Sequence, residues 1–114
     1  MSTAPEILPC AGVKTDNWYA WNNFQPPKPH DFHITGDVEV PNPGVEPVLL
    51  MKVPQGTNPE VLLLDLFLVQ RPGVWPPVEV TKQVRFDRSN ATYQQAQVFC
   101  DKDIVADVKV EDVH

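Results

Sequence analysis

The run Val61 to Val69, VLLLDLFLV, constrains this chain more than any other feature. Eight of its nine residues are apolar, and Asp65 stands at the centre. A strand with one face in water alternates apolar and polar residues. This run does not, so both of its faces call for cover. One face carries Leu62, Leu64, Leu66 and Leu68; the other carries Val61, Leu63, Phe67 and Val69 around Asp65. Burying eight such side chains contributes roughly 12–24 kcal/mol gross, before conformational entropy is set against it. Leucine also favours helix, but Pro59 before the run and Pro72-Gly73 after it favour a strand, Val61–Gln70.

The surrounding sequence reads as strand throughout. Phe32, Ile34, Val38 and Val40 alternate with His33, Thr35, Asp37 and Glu39, the period-2 pattern of a half-buried strand. Asn42-Pro43-Gly44 is a turn signal, and Val48–Val53 is a second strand ending at Pro54-Gln55-Gly56. After the central run, Val78, Val80, Val84 and Phe86 alternate with Glu79, Thr81, Gln83 and Arg85. Tyr93–Cys100 and Ile104–Val110 complete the set. The chain has 13 prolines in 114 residues, about twice the usual 5%. Proline breaks helices and punctuates short strands. The expected fold is all-β: a small antiparallel β-sandwich, immunoglobulin-like or a meander or Greek key, of six to seven strands.

Residues 1–31 look different. Trp18, Tyr19, Trp21 and Phe24 precede Gln25-Pro26-Pro27-Lys28-Pro29, and no period persists. The expectation is an irregular segment, with a short helical turn near Asp16–Asn22, packing on a domain that spans 32–114. If the strand Val61–Gln70 forms a hairpin with the next, Asp65 falls near Gln83 and Arg85. Arg85 is then its natural charge partner, with Lys52 the alternative. The second face of the central strand is covered either by the tryptophan-rich leader or by another molecule.

Composition narrows function. Fifteen acidic residues against nine lysines and arginines give a net charge of −6, which repels phosphate backbones and disfavours nucleic acid. No apolar run reaches the roughly 18 residues of a membrane helix. The N-terminal stretch lacks the basic and apolar regions of a secretory signal, so a cytoplasmic protein is the default. There Cys10 and Cys100 are expected as free thiols; in an exported chain they form one bridge. The sequon Asn90-Ala91-Thr92 carries weight only with export.

Motifs for chemistry are sparse. His30-Asp31-Phe32-His33 is the densest ligand cluster, and on an extended chain Asp31, His33, Thr35 and Asp37 share one side. Imidazole and carboxylate can hold zinc or iron, although polar alternation on an exposed strand explains the pattern equally well. Ser2 and Ser89 are the only serines, and no nucleophile elbow, phosphate loop or dinucleotide fingerprint is present. Trp75 lies in the proline-stiffened loop Pro72–Pro77, a rigid aromatic suited to anchoring a partner. The alternative roles are packing ones: Trp75 caps an end of the domain, and Trp18 and Trp21 plug its open side.

The sequence therefore favours a non-enzymatic binding or assembly module without a cofactor. Its partner is a second copy or another protein, and Trp18, Trp21, Trp75, Asp65 and Arg85 are its candidate contact residues. The runner-up is a small metal-dependent or ligand-binding β-barrel enzyme built on His30, Asp31, His33 and Asp37.

Overall fold

The computed structural model describes residues 5–114; the first four residues of the N-terminal segment, Ser2 among them, lie outside the described residues. Among the described residues every regular element is a strand: β1 Glu6–Leu8, β2 Thr15–Asn23, β3 Asp31–Val40, β4 Val45–Met51, β5 Val61–Gln70, β6 Val80–Ser89, β7 Gln95–Cys100 and β8 Asp103–Val113. They form one mixed sheet curled into a half-barrel, in the order β1-β5-β7-β8-β2-β3-β6, with β4 on the free side of β5. The all-β expectation holds. The purely antiparallel one does not, because β5 pairs with β7 in parallel and β2 with β8 in parallel.

The central run is β5, and its pairing differs from the expected hairpin. Strand β6 lies along β3 over its whole length, while β5 sits between β4 on one edge and β7 and β1 on the other. Its leucine face is fully inside: Leu62, Leu64, Leu66 and Leu68 join Phe32, Ile34, Val38 and Val98 in a single core.

The second edge of β5 is shared by two short strands that approach from opposite ends. β7 pairs with Val61–Asp65, and β1 pairs with Leu68–Gln70. They meet opposite Leu66, and there Cys10 and Cys100 are joined in a disulfide with Cα atoms 5.8 Å apart. Cys10 Sγ lies 3.9 Å from the Leu66 carbonyl oxygen. The free-thiol expectation is thus overturned. Two half-strands laid end to end bring their terminal residues within bridging distance, a proximity that the 90-residue separation conceals.

The N-terminal segment is also more regular than expected. Most of the aromatic stretch is β2, an internal strand between β8 and β3, so a boundary at residue 31 would cut through the half-barrel. The expected helical turn is replaced by a bulge: Asn17 and Trp18 together oppose the single Gly36 of β3. Asn17 takes φ 56°, which asparagine tolerates better than most residues. The Trp18 ring lies directly on Gly36, where any Cβ would overlap it.

β8 links the two halves. Its first part pairs with β7, and Val110–Val113 pair with β2. Asn22, almost fully buried, secures that junction: its Nδ2 donates to the Tyr93 carbonyl at 2.7 Å and to Asp112 at 2.9 Å, and its Oδ1 accepts from the Tyr93 amide at 3.0 Å. On the opposite side β4 and β6 approach without a ladder. Side chains bridge them: Lys82 Nζ reaches Glu46 at 2.7 Å and the Pro43 carbonyl just before β4 at 2.6 Å, and Arg88 donates to the Met51 sulfur at 3.2 Å.

A bridge that closes so long a loop restricts the unfolded chain by about 4–5 kcal/mol in the chain-entropy limit, and by about 2–4 kcal/mol in typical measurements. Cys10→Ser with Cys100→Ser is expected to lower unfolding free energy by about 2–4 kcal/mol in urea titration, and a reducing agent is expected to do the same to the wild type. An unchanged midpoint in both would contradict the role assigned to the bridge.

Candidate functional site

The residues singled out from sequence fall into three places, the first two sharing His33 on β3, with Trp75 apart from all three. The first is the outer face of β2, β3 and β6. Tyr19 and Trp21 stack with ring centroids 5.0 Å apart, and Trp21 lies 5.0 Å from the His33 ring. The Arg85 guanidinium is 5.8 Å from the Trp21 ring, and its Nε donates to both Asp87 oxygens at 2.9 and 3.0 Å. His33 Nδ1 is 2.6 Å from Asp87 Oδ1. Arg85 is therefore committed to Asp87 on its own strand and to Trp21 of β2, not to Asp65.

The second place concerns the metal-ligand candidates. Asp31, His33 and Asp37 do share the outer side of β3, as period-2 geometry requires, but their partners draw them apart. His33 engages Asp87, Asp37 accepts from Asn17 Nδ2 at 2.9 Å, and His30 sits edge-on to Phe24 at 4.7 Å. Among the described residues, one group of three metal-capable side chains converges: Cys10, Cys100 and Asp101. Both sulfurs there are taken up by the bridge. Trp75 is placed elsewhere again. Its ring lies on Gly44, and its Nε1 donates to the Arg71 carbonyl at 3.1 Å, folding loop 71–79 back on the β3–β4 turn.

The third place is the second face of β5. Register assigns Val48, Leu50 and Lys52 of the β4 side, Ile7 of β1, and Gln97 and Phe99 of β7 to the same outward surface as Leu63, Asp65, Phe67 and Val69. No described strand packs over it, and the tryptophans lie elsewhere. Its centre is half-buried by neighbouring side chains, while its margins are open: Leu50 is 53% exposed, Ile7 65% and Ile104 52%. Asp65 pairs with Lys52, Nζ to Oδ1 at 3.2 Å, and the same ammonium stands 5.1 Å from the Phe99 ring centroid. Where β4 ends, the Gln55 side chain takes over its pairing. Its amide donates to the Leu63 carbonyl at 2.7 Å and accepts from the Leu63 amide at 2.9 Å.

Sequence reasoning found Asp65 and the need for cover, and named Lys52 as the second choice of partner. It missed Ile7, Leu50 and Phe99, which join the face through pairings between distant parts of the chain. No protein-family model, curated protein or solved structure matches this chain.

The His33–Asp87–Arg85 network gives a pH signature. Burial pushes the Asp87 carboxyl up, but hydrogen bonds from Arg85 and His33 and their charges outweigh it and hold the group below its ordinary value. A carboxyl with a depressed folded pKa stabilises the fold above its unfolded pKa, and that contribution is lost as pH falls through the folded value. Asp87 is 48% exposed, so the contribution belongs to the surface range of about 0.2–1 kcal/mol. Asp87→Asn is expected to be less stable than wild type by that amount at pH 7, and the gap should shrink below about pH 4. Thermal unfolding at pH 7, 4 and 2.5 checks it; a gap constant across the series would contradict the assignment.

Proposed function

We propose that this chain is a non-enzymatic assembly module that packs the outer β4–β5–β7–β8 face against a second copy of itself. The observation that carries the reading is the second face of β5, an apolar sheet surface that no described strand covers. Soluble monomers rarely leave such a contiguous surface open.

Charge and area both favour a second copy as the occupant. The chain carries −6, so two copies repel over most of their surfaces. On this face the register gathers Lys52 and Lys109 with Asp65 and Asp107, two charges of each sign and a sum of zero. Glu46 at its edge is already paired with Lys82 and Arg71. Ten residues of β5 span about 33 Å, and four strand positions span about 19 Å. The projected area is then about 600 Å², and the rugged accessible surface is larger, close to the roughly 800 Å² per partner of a stable interface.

Two finer expectations belong to the same proposal. A sandwich-like arrangement, with sheet faces meeting about 10 Å apart, describes the assembled pair better than the single curled sheet. The bridge bears on location: cytosolic thiols stay reduced, so a closed Cys10–Cys100 pair supports an oxidising compartment rather than the cytoplasm.

Light scattering after size-exclusion chromatography is expected to give about twice the 12.8 kDa chain mass. Leu50→Lys, which sets a charge in the open part of the face, should return a folded monomer. A wild-type monomer at all concentrations up to about 100 µM, weaker than most specific associations, would overturn the reading.

A further inference from the structure

Resting on that assembly, we infer that the Lys52–Asp65 pair is exchanged between copies across a two-fold axis and so restricts the chain to partners of its own kind. Asp65 lies at the middle of the apolar face, and Lys52 reaches it from beside the end of β4. Leu50 is directly opposite Asp65 in the ladder, and Lys52 follows two residues on, its amide donating to the Leu63 carbonyl at 2.9 Å. Lysine and aspartate thus stand diagonally on adjacent strands. A two-fold axis lying between the two faces, parallel to the sheets and perpendicular to the line that joins the pair, sets each lysine over the partner's aspartate, the self-complementary arrangement that isologous contacts require.

Energetics favour exchange over a pair kept within each chain. The two side chains retain about a quarter to a third of their exposure, 32% and 23%. Closing the face removes that remaining water. Two charges lose hydration, and a single 3.2 Å contact between them is modest compensation. When two pairs meet about the axis, the four charges alternate in sign and each has two opposite neighbours. The Phe99 ring beneath Lys52, 5.1 Å away, adds a favourable cation–π contact that does not depend on which aspartate is engaged. An apolar partner offers neither carboxylate nor ammonium and leaves the pair half-compensated. A copy of this chain supplies both.

Charge reversal tests this in a way that an intrachain pair cannot imitate. Lys52→Asp places two negative charges on each copy, and Asp65→Lys places two positive ones. Each variant alone is expected to self-associate about tenfold or more weakly than wild type, the scale of a coupled interfacial charge pair. Mixed in equal amounts, the two should recover a heterodimer. Where either fails to fold by circular dichroism, the reversed double variant Lys52→Asp/Asp65→Lys keeps a pair within the chain. It should dimerise with itself and fail to form mixed dimers with differently tagged wild type in native mass spectrometry. Free mixing of the double variant with wild type would overturn the exchange, as would single variants that assemble as tightly as wild type. Either result leaves the dimer itself standing, whereas a monomeric wild type removes both.

Discussion

The half-barrel depends on how β5 is supplied with backbone partners. A strand with eight apolar residues of nine must lie inside a sheet, because its amides and carbonyls cannot be left half-paired beside so much buried surface. One edge is met by β4 and, beyond it, by the Gln55 side chain. The other is met by two half-strands from opposite ends of the sequence, β1 and β7. Neither is long enough to complete that edge alone. The Cys10–Cys100 bridge fixes them end to end, so the covalent link and the hydrogen-bond ladder solve the same problem together.

From that arrangement the rest of the topology follows. With β7 parallel to β5, the chain must turn through β8 to continue, and β8 is long enough to leave the first half and reach β2. The aromatic leader therefore becomes an internal strand. Trp18 is absorbed by Gly36, Trp21 by Tyr19 and His33, and Trp75 by Gly44. With the tryptophans engaged in this way, the chain has no large aromatic left to lay over the outer face of β5, and that face emerges as the open one.

Alternation made much of this legible. The strands beginning at Phe32 and Tyr93 follow from local alternation, and the one beginning at Val61 from an apolar run bounded by prolines, whose even-numbered leucines are the residues found inside. What stayed hidden depends on pairing between distant segments. Nothing near Asp65 indicates that its neighbours are β4 and β7 rather than β6, and so Lys52 rather than Arg85 holds it. Nothing near Cys10 indicates that it meets Cys100. β2 was obscured for a local reason: the bulge at Asn17-Trp18 shifts the phase of the alternation midway. The candidate face was half visible. Its central strand could be read directly, but Ile7, Leu50 and Phe99 come to it only through register.

The Gln55 side chain has a consequence for how copies can meet. A bare stretch of β5 beyond the end of β4 would be a template for strand addition, and each added chain would expose a fresh edge. Such growth has no natural stopping point. The carboxamide occupies both the donor and the acceptor of Leu63 as a strand would, yet offers no further backbone to extend the ladder. It works as a terminator. Strand addition along this stretch of β5 is thereby blocked, and with it the open-ended growth that a bare edge permits.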